Sequence, residues 1–149
     1  NTLPENYTIM LLDKVNKLEQ INLKYETLKY IQKLFGSDIR SMLNYMQCIN
    51  DKNFKYKIIN KKIWEKYTSM LKTDKLTNKT INYLINLSKS YQISLIVLIK
   101  EYLNYIVRYE KNLLTEKILK AFEYIIHDYK PDPKYMNHYL VYKLHSEFK

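Results

Sequence analysis

The chain has 149 residues, of which 46% are hydrophobic, and its formal net charge is +10. This size suffices for one domain, or two small ones, with a buried core. One glycine and three prolines are too few for the turns of β-hairpins, and the single cysteine, Cys48, excludes a disulfide framework and a cysteine-based zinc site. The sequence therefore predicts an all-α fold.

Apolar residues at helical spacing predict three helices in the first fifty residues. The first covers about 5–20, and the second starts at residue 22 or 23 and ends before Gly36, a residue suited to closing a helix with positive φ. Ser37 is expected to cap the third helix. The inward-facing residues predicted for that helix are Ile39, Met42, Leu43 and Met46.

The polar residues 51–53 mark the predicted boundary between one domain at 1–50 and another at 51–149. The second domain is predicted to be a bundle of about five helices. Asn60, Ser94 and Thr115 mark the starts of three of them. Pro131 and Pro133 are expected to end the helix that starts at Thr115, and the last helix is expected to begin at about Lys134. The expected apolar stretches are 63–67, 81–87, 95–106, 118–126 and 135–144.

The chain shows no constellation of catalytic or metal-binding residues. One glycine cannot supply a phosphate-binding loop, and no His-Glu-x-x-His pattern is present. His138 and His145 are two helical turns apart, too far to share an ion without a third ligand, and His127 stands alone. We therefore expect no catalytic residue, no metal and no enzymatic activity in this chain by itself. The 16 tyrosines are expected mostly in packing.

The charge of the chain would suit an acidic partner such as nucleic acid. The lysines, however, occur along every segment, which is also typical of exposed helix faces in a lysine-rich protein. Only Arg40 and Arg108 among the 25 basic residues are arginine. Arginine is a planar, permanently charged, bidentate donor that lysine cannot replace.

Arg40 lies in the first turn of the third predicted helix. An anion approaching that helix end would meet free backbone N–H groups, the positive end of the helix dipole and a guanidinium group. The alternative interpretation is an ordinary surface arginine near the start of a bundle helix.

The span 11–47 resembles the lid domain of clamp-loader ATPases, the replication factor C small subunits of the AAA+ superfamily. In that family an apolar helix, an isoleucine, a second helix and the motif Gly-Asp-x-Arg-x-x-Leu-Asn-x-x-Gln follow in order. The corresponding residues here are 12–18, Ile21, 25–34 and 37–47. Residues 37–47 read Ser-Asp-Ile-Arg-Ser-Met-Leu-Asn-Tyr-Met-Gln, so Ser37 stands at the glycine of the motif.

The span 58–148 resembles, more loosely, the helical collar domain that follows the lid and holds a five-membered ring together. Residues 87–94 read Leu-Ser-Lys-Ser-Tyr-Gln-Ile-Ser. This stretch is similar to the family's junction at which a glycine separates two collar helices, and Gln92 stands at that glycine. The resemblance thus implies a lid at 1–50 and a collar at 51–149.

The resemblance also implies roles for five residues. Arg40 is the sensor-2 residue, which contacts the nucleotide phosphates, and Asp38 helps to set the start of its helix. Ser37, Asn44 and Gln47 position the lid helix. The nucleotide-binding domain would lie upstream in a longer protein, an ATPase that uses ATP and Mg²⁺, and no cofactor is expected for this part alone.

The implied partners are other clamp-loader subunits in a homo- or hetero-pentameric ring. Through the full complex they include a sliding clamp and primer–template DNA. No apolar run is long enough to span a membrane, and we expect a reducing, intracellular location, either the nucleus or a cytoplasmic replication site.

Two alternatives stay open. One is the lid of another AAA+ ATPase, of the origin-recognition or branch-migration type, which would be followed by a winged-helix domain containing a β-hairpin. The other is a stand-alone helical interaction or nucleic-acid-binding module, in which the motif is a coincidence.

Overall fold

The computed structural model describes residues 4–50, 58–127 and 132–148. These residues form helices and no strand, so the predicted all-α class is confirmed. The helices are α1 (Glu5–Leu18), α2 (Tyr25–Phe35), α3 (Ile39–Asn50), α4 (Lys61–Leu71), α5 (Asn78–Ile81), α6 (Tyr83–Tyr91), α7 (Leu95–Tyr109), α8 (Glu116–His127) and α9 (Pro133–Glu147), with a short 3₁₀ helix at Lys111–Leu113.

The chain divides into two compact units, Asn1–Lys57 and Ile58–Lys149. We refer to them as the first unit and the second unit. The predicted boundary at 51–53 lies outside the described residues.

In the first unit, α1 packs against α2 and α3, and α2 packs against α3. The core consists of Ile9, Leu12, Leu28, Ile31, Leu34, Met42, Tyr45 and Met46. Two of the four residues predicted to face inward on α3, Met42 and Met46, are therefore buried, and the other two, Ile39 and Leu43, are half-buried. Burial of such apolar side chains provides the main stabilisation of a small helical unit, at about 1.5–3 kcal/mol each.

The first helix ends at Leu18 and is followed by a Schellman C-cap. Gln20 has a positive φ of 53°. Its N–H donates to the Lys17 carbonyl at 3.3 Å, and the Ile21 N–H donates to the Asn16 carbonyl at 3.0 Å. These two bonds satisfy carbonyls that would otherwise be left free at the helix end.

The start of α2 depends on the side chain of Asn16, which is itself buried. Its Oδ1 accepts from the Leu23 N–H at 2.9 Å, and its Nδ2 donates to the Leu23 carbonyl at 3.0 Å. The N–H and carbonyl groups of Leu23 are therefore bonded to this side chain and do not take part in helical hydrogen bonds. The second helix consequently begins at Tyr25, and the predicted start at residue 22 or 23 is wrong.

In the second unit, α7 packs against α4, α6 and α9, and α9 also packs against α4, α5 and α8. The core includes a group of aromatic rings in contact. The Tyr67 and Tyr102 ring centroids are 4.6 Å apart, and Trp64, Tyr83 and Tyr105 extend the group. The expectation that tyrosines serve in packing therefore holds for this group. Tyr109 and Tyr124 are exposed, yet their rings contact those of Tyr105 and Tyr139, with centroids 5.5 and 5.1 Å apart, and Tyr135 is exposed.

Three predicted helix starts in the second unit are confirmed by side-chain caps. Asn60 Oδ1 accepts from the Ile63 N–H at 3.3 Å at the start of α4. Ser94 Oγ accepts from Val97 N–H at 3.4 Å, and Thr115 Oγ1 accepts from Ile118 N–H at 3.3 Å. Each bond satisfies one of the free N–H groups in the first turn of its helix.

The single helix expected around the apolar stretch 81–87 is instead two helices, α5 and α6, separated by Asn82. In a continuous helix the Ile81 carbonyl would accept from the N–H four residues later. Here it accepts from the buried Asn137 Nδ2, at 2.8 Å. The Asn82 side chain also donates to the Asn78 carbonyl, at 2.9 Å, a local bond that competes with helix continuation.

Pro133 opens α9, so the prediction that it ends the preceding helix is wrong. Asp132 is the N-cap, and its Oδ1 accepts from the Lys134 and Tyr135 N–H groups at 2.9 and 3.3 Å. Proline suits the first helical position because its missing N–H has no partner to lose there. Pro131 lies outside the described residues.

Candidate functional site

The residues predicted to form a site surround the turn between α2 and α3. Gly36 closes α2 with a φ of 62°, and its N–H donates to the Gln32 carbonyl at 2.8 Å. Positive φ strains residues with a Cβ atom but not glycine, so the predicted role of Gly36 as a helix-closing residue is confirmed. The turn places Ser37 and Asp38 directly before the first turn of α3.

Asp38, not Ser37, caps α3. Its Oδ1 accepts from the Ser41 N–H at 3.0 Å, and its Oδ2 accepts from the Ser41 hydroxyl at 2.6 Å. The predicted cap at Ser37 is therefore wrong, because the helix begins one residue later than a serine cap requires. The expectation that Asp38 helps to set the helix start agrees with this geometry.

The capping bonds also change the acidity of Asp38. The hydrogen bonds from the Ser41 hydroxyl and the Ser41 N–H, together with the positive charge of Arg40, lower the pKa of the Asp38 carboxyl. All of these contacts stabilise the charged form of the carboxylate. Asp38 is consequently ionised throughout the neutral range.

The first-turn N–H groups of α3 are already engaged. The Ile39 N–H donates to the Ser37 carbonyl at 3.1 Å. The Ser41 N–H donates to Asp38 Oδ1, and the Arg40 N–H lies close to the same carboxylate. The expectation of free N–H groups for an incoming anion is thus wrong. The guanidinium group of Arg40 remains as the donor, since it is exposed and makes no hydrogen bond or ion pair with another residue in the described parts of the chain.

Arg40, Asn44 and Gln47 lie on one face of α3. Their spacing of four and then three residues aligns them along the helix, and all three are exposed. Gln47 also lines a groove of about 240 Å³ together with Leu43 of α3 and Val15 of α1. The arrangement is a polar, solvent-accessible row of one cation and two amides, suited to hydrogen bonding with an anionic or polar partner.

The histidines form no metal site in the residues that the structure describes. His127 and His138 are exposed. His145 Nδ1 lies 3.0 Å from the Leu71 carbonyl oxygen at the end of α4. Because a carbonyl can only accept, the Nδ1 atom of His145 carries the proton and donates. The role of this histidine is therefore to satisfy a helix C-terminus.

Five lysines of the second unit, Lys62, Lys66, Lys72, Lys75 and Lys79, follow one another along α4, the turn after it and α5. All five are exposed. Lys62 and Lys66 are like charges four residues apart on α4, and neither makes a salt bridge within the described residues.

Comparison of the chain with protein-family models, curated proteins and solved structures finds no match. The described part of the chain contains no helix that is both long enough and apolar enough to cross a membrane.

Proposed function

We propose that this chain is the lid and collar part of a clamp-loader subunit, in which Arg40 contacts the phosphates of a bound nucleotide. The observation that carries the proposal is the exposed row of Arg40, Asn44 and Gln47 on α3. The opposite face of the same helix is packed into the core through Met42 and Met46. A guanidinium on a well-packed helix that makes no hydrogen bond or salt bridge within the described residues is placed to make a charge-assisted bond with an external anion.

The helices of the first unit support the proposal by their order. Ile21 follows the first helix, the second helix precedes Gly36, and the residues that resemble the family motif occupy the start and exposed face of the third. In the second unit, Gln92 has φ 53° and ψ 36°, a left-handed conformation. It stands where the resemblance has glycine, the residue best suited to that conformation.

The proposed mechanism couples nucleotide binding to the angle of the lid. Arg40 would bind the phosphates across a cleft formed with an upstream nucleotide-binding domain, and loss of the terminal phosphate would release this contact. Asp38 fixes the start of α3 and so the origin of the Arg40 side chain. Asn44 and Gln47 would contact the nucleotide-binding domain along the same helix face.

In the complete protein, ATP and Mg²⁺ would be held by that upstream domain. The second unit would pack with equivalent units of other subunits in a pentameric ring. The ring would load a sliding clamp on primer–template DNA, in the nucleus or at a cytoplasmic replication site.

Two other functions are less well supported. The lid of an origin-recognition or branch-migration ATPase would be followed by a winged-helix domain with a β-hairpin, and residues 58–127 and 132–148 contain no strand. A stand-alone helical module would leave the exposed row of α3 without a role. A nucleotide-dependent activity of the complete protein would support the proposal, and its absence would favour the stand-alone helical module.

The proposal is tested by replacing Arg40 with alanine in the complete, assembled protein. Arg108→Ala is the matched control, because Arg108 is the other arginine of the chain and is also exposed. We expect Arg40→Ala to lower the clamp-stimulated ATPase rate by about tenfold or more, in line with removal of a charged transition-state contact. Arg108→Ala should leave the rate unchanged. Equal rates for both variants and the unmodified protein would refute the role of Arg40.

A further inference from the structure

The aromatic group of the second unit contains a continuous row of rings from a buried indole to an exposed phenol. Trp64, the single tryptophan of the chain, is 6% exposed. The centroid of its ring lies 5.6 Å from that of Tyr102, and the Tyr102 and Tyr105 centroids are 6.1 Å apart. The Tyr105 and Tyr109 centroids are 5.5 Å apart, and Tyr109 is 59% exposed. We call these four residues the aromatic path, because each ring lies at the contact separation of aromatic pairs from the next.

Rings at such separations can exchange electrons. Indole and phenol are among the side chains that lose a single electron most readily, and an electron tunnels rapidly between rings that are in contact. The neutral phenoxyl radical of tyrosine is more stable at neutral pH than the radical of tryptophan. An oxidised Trp64 would therefore draw an electron from a tyrosine of the aromatic group, provided that this tyrosine can also lose its proton.

The hydroxyl partners decide which tyrosine can lose its proton, because a phenol that has lost an electron is a strong acid. The Tyr102 hydroxyl donates to that of Thr68 at 2.9 Å. The Tyr83 hydroxyl donates to the Ile63 carbonyl at 3.3 Å. Neither a hydroxyl group nor a carbonyl group takes up a proton near neutral pH. The Tyr67 hydroxyl is buried without a hydrogen-bond partner among the described residues.

Tyr105 differs from these three tyrosines because its hydroxyl faces a base. It donates to Glu110 Oε1 at 2.9 Å, and an ionised carboxylate can take up the proton of such a bond. Burial, the hydrogen bond to Glu110 and the charges of Glu110 and Glu65 raise the pKa of Tyr105 to about 12. Tyr105 is therefore a neutral phenol at rest. Its proton can move along an existing hydrogen bond when its electron leaves.

We propose that the aromatic path carries an oxidising equivalent from Trp64 to Tyr105 and on to Tyr109, with a carboxylate as the proton acceptor. A dissolved one-electron oxidant of the radical class first removes an electron from the Trp64 indole and leaves a radical cation. An electron from Tyr105 then restores the indole, while the phenolic proton passes to Glu110. The product is a neutral phenoxyl radical at Tyr105 and a protonated Glu110.

The exposed end of the path completes the transfer. Tyr109 gives an electron to the Tyr105 radical and its own proton to water, and Glu110 returns the first proton to Tyr105. The radical is then on a ring that solvent reaches, where a dissolved reductant such as ascorbate supplies one electron and one proton. The activity is the removal of an oxidising equivalent from the core of the second unit, and it goes beyond the proposed function.

Pulse radiolysis of the 149-residue chain in an azide solution tests the proposal. The azide radical oxidises indole in preference to phenol at neutral pH, and Trp64 is the single indole, so the absorption of the tryptophan radical reports this residue alone. Its decay and the matching growth of phenoxyl absorption give the transfer rate. A rate that does not depend on protein concentration identifies the transfer as intramolecular, whereas a rate proportional to concentration would overturn the proposal.

Two variants remove the acceptor functions. Tyr105→Phe removes the phenol, and Glu110→Gln keeps a hydrogen-bond acceptor that is not a base. Tyr83→Phe is the matched control, since Tyr83 belongs to the same aromatic group but faces a carbonyl. Circular dichroism verifies the helix content of each variant.

We expect Tyr105→Phe and Glu110→Gln each to slow the transfer by about tenfold or more, in line with loss of a positioned proton acceptor. Tyr83→Phe should leave the rate unchanged. An unchanged rate in Glu110→Gln would overturn Glu110 as the acceptor, and equal slowing in Tyr83→Phe and Tyr105→Phe would overturn the path.

The exit step has its own variant. Tyr109→Phe should leave the first transfer intact and slow the reduction of the phenoxyl radical by ascorbate, because the radical then remains on Tyr105, which is 4% exposed. An unchanged reduction rate would overturn Tyr109 as the exit. These measurements use neither nucleotide nor partner subunits, so their outcome is independent of the proposed function.

Discussion

The side chain of Asp38 fixes the beginning of α3, and this role can be separated from that of its neighbour Ser37. We expect Asp38→Ala to lower the free energy of unfolding of the first unit by about 0.5–2 kcal/mol, the usual cost of losing an N-cap. Ser37→Ala should be close to neutral, because Asp38 makes the capping bonds. Urea denaturation of both variants measures the difference, and a larger loss for Ser37→Ala would contradict the cap assignment.

The hydrogen bonds to the Asp38 carboxylate also predict how its contribution to the stability of the first unit depends on pH. Because the pKa of Asp38 is lower in the folded chain than in the unfolded chain, its stabilisation is present above the unfolded pKa. It is lost as the pH falls through the lower, folded value. The free-energy difference between the unmodified chain and Asp38→Ala should therefore shrink on acidification. A difference that grew at acidic pH would show that the carboxylate is not the capping form.

Gln92 provides a second prediction at the level of one residue. Its left-handed conformation is strained for a residue with a Cβ atom. We expect Gln92→Gly to stabilise the second unit by about 0.5–1 kcal/mol. Lys89→Gly, inside the preceding helix, should destabilise it by about 0.8 kcal/mol. Thermal denaturation of the two variants would contradict the account if both moved the melting temperature in the same direction.

At the scale of secondary-structure elements, the aromatic group between α4 and α7 contains two tyrosines with opposite hydrogen-bonding status. Thr68 Oγ1 donates to the Trp64 carbonyl at 2.9 Å, so the Tyr102 hydroxyl donates to Thr68, also at 2.9 Å. The Tyr67 hydroxyl is buried and has no hydrogen-bond partner among the described residues. Burial raises the pKa of both tyrosines, which therefore stay neutral at physiological pH.

This difference predicts unequal effects of removing each hydroxyl group. Tyr102→Phe should destabilise the second unit by about 0.5–1.5 kcal/mol, the net value of one hydrogen bond. Tyr67→Phe should be neutral or stabilising, because it removes a polar group that is buried without a partner. Chemical denaturation of the two single variants measures both effects. A larger loss for Tyr67→Phe would show that its hydroxyl is bonded in the folded chain.

Helix starts set by local side chains could be predicted from the sequence. Asn60, Ser94 and Thr115 precede apolar repeats and act within three residues, so the pattern is sufficient. The break at Asn82 could not be predicted in this way. It depends on Asn137, whose side-chain Nδ2 donates to the carbonyl of Ile81, 56 residues earlier in the chain.

In the candidate site, too, one feature could be predicted from the sequence and another could not. The shared helix face of Arg40, Asn44 and Gln47 could have been predicted from their spacing, since helical periodicity alone decides it. The choice between Ser37 and Asp38 as the cap was wrong because both residues can cap a helix. The actual cap depends on how many residues lie between the positive-φ turn at Gly36 and the start of α3. The sequence pattern does not determine that number.

At the scale of the whole molecule, the two units differ in charge. The second unit, Ile58–Lys149, holds 16 of the 25 basic residues and nine of the 15 acidic residues, a net charge of +7. Under the proposed function this unit would form the collar of a ring that encloses DNA.

The central claim, that the chain belongs to a clamp-loader ring, is tested most directly by its assembly. The chain would be co-expressed with clamp-loader small subunits from the same source, and the purified material would be analysed by light scattering. We predict a discrete hetero-oligomer containing the chain, with a mass that matches a whole number of subunits. A monomer that does not associate with those subunits, yet binds DNA in a salt-dependent manner, would contradict the claim and favour a stand-alone nucleic-acid-binding module.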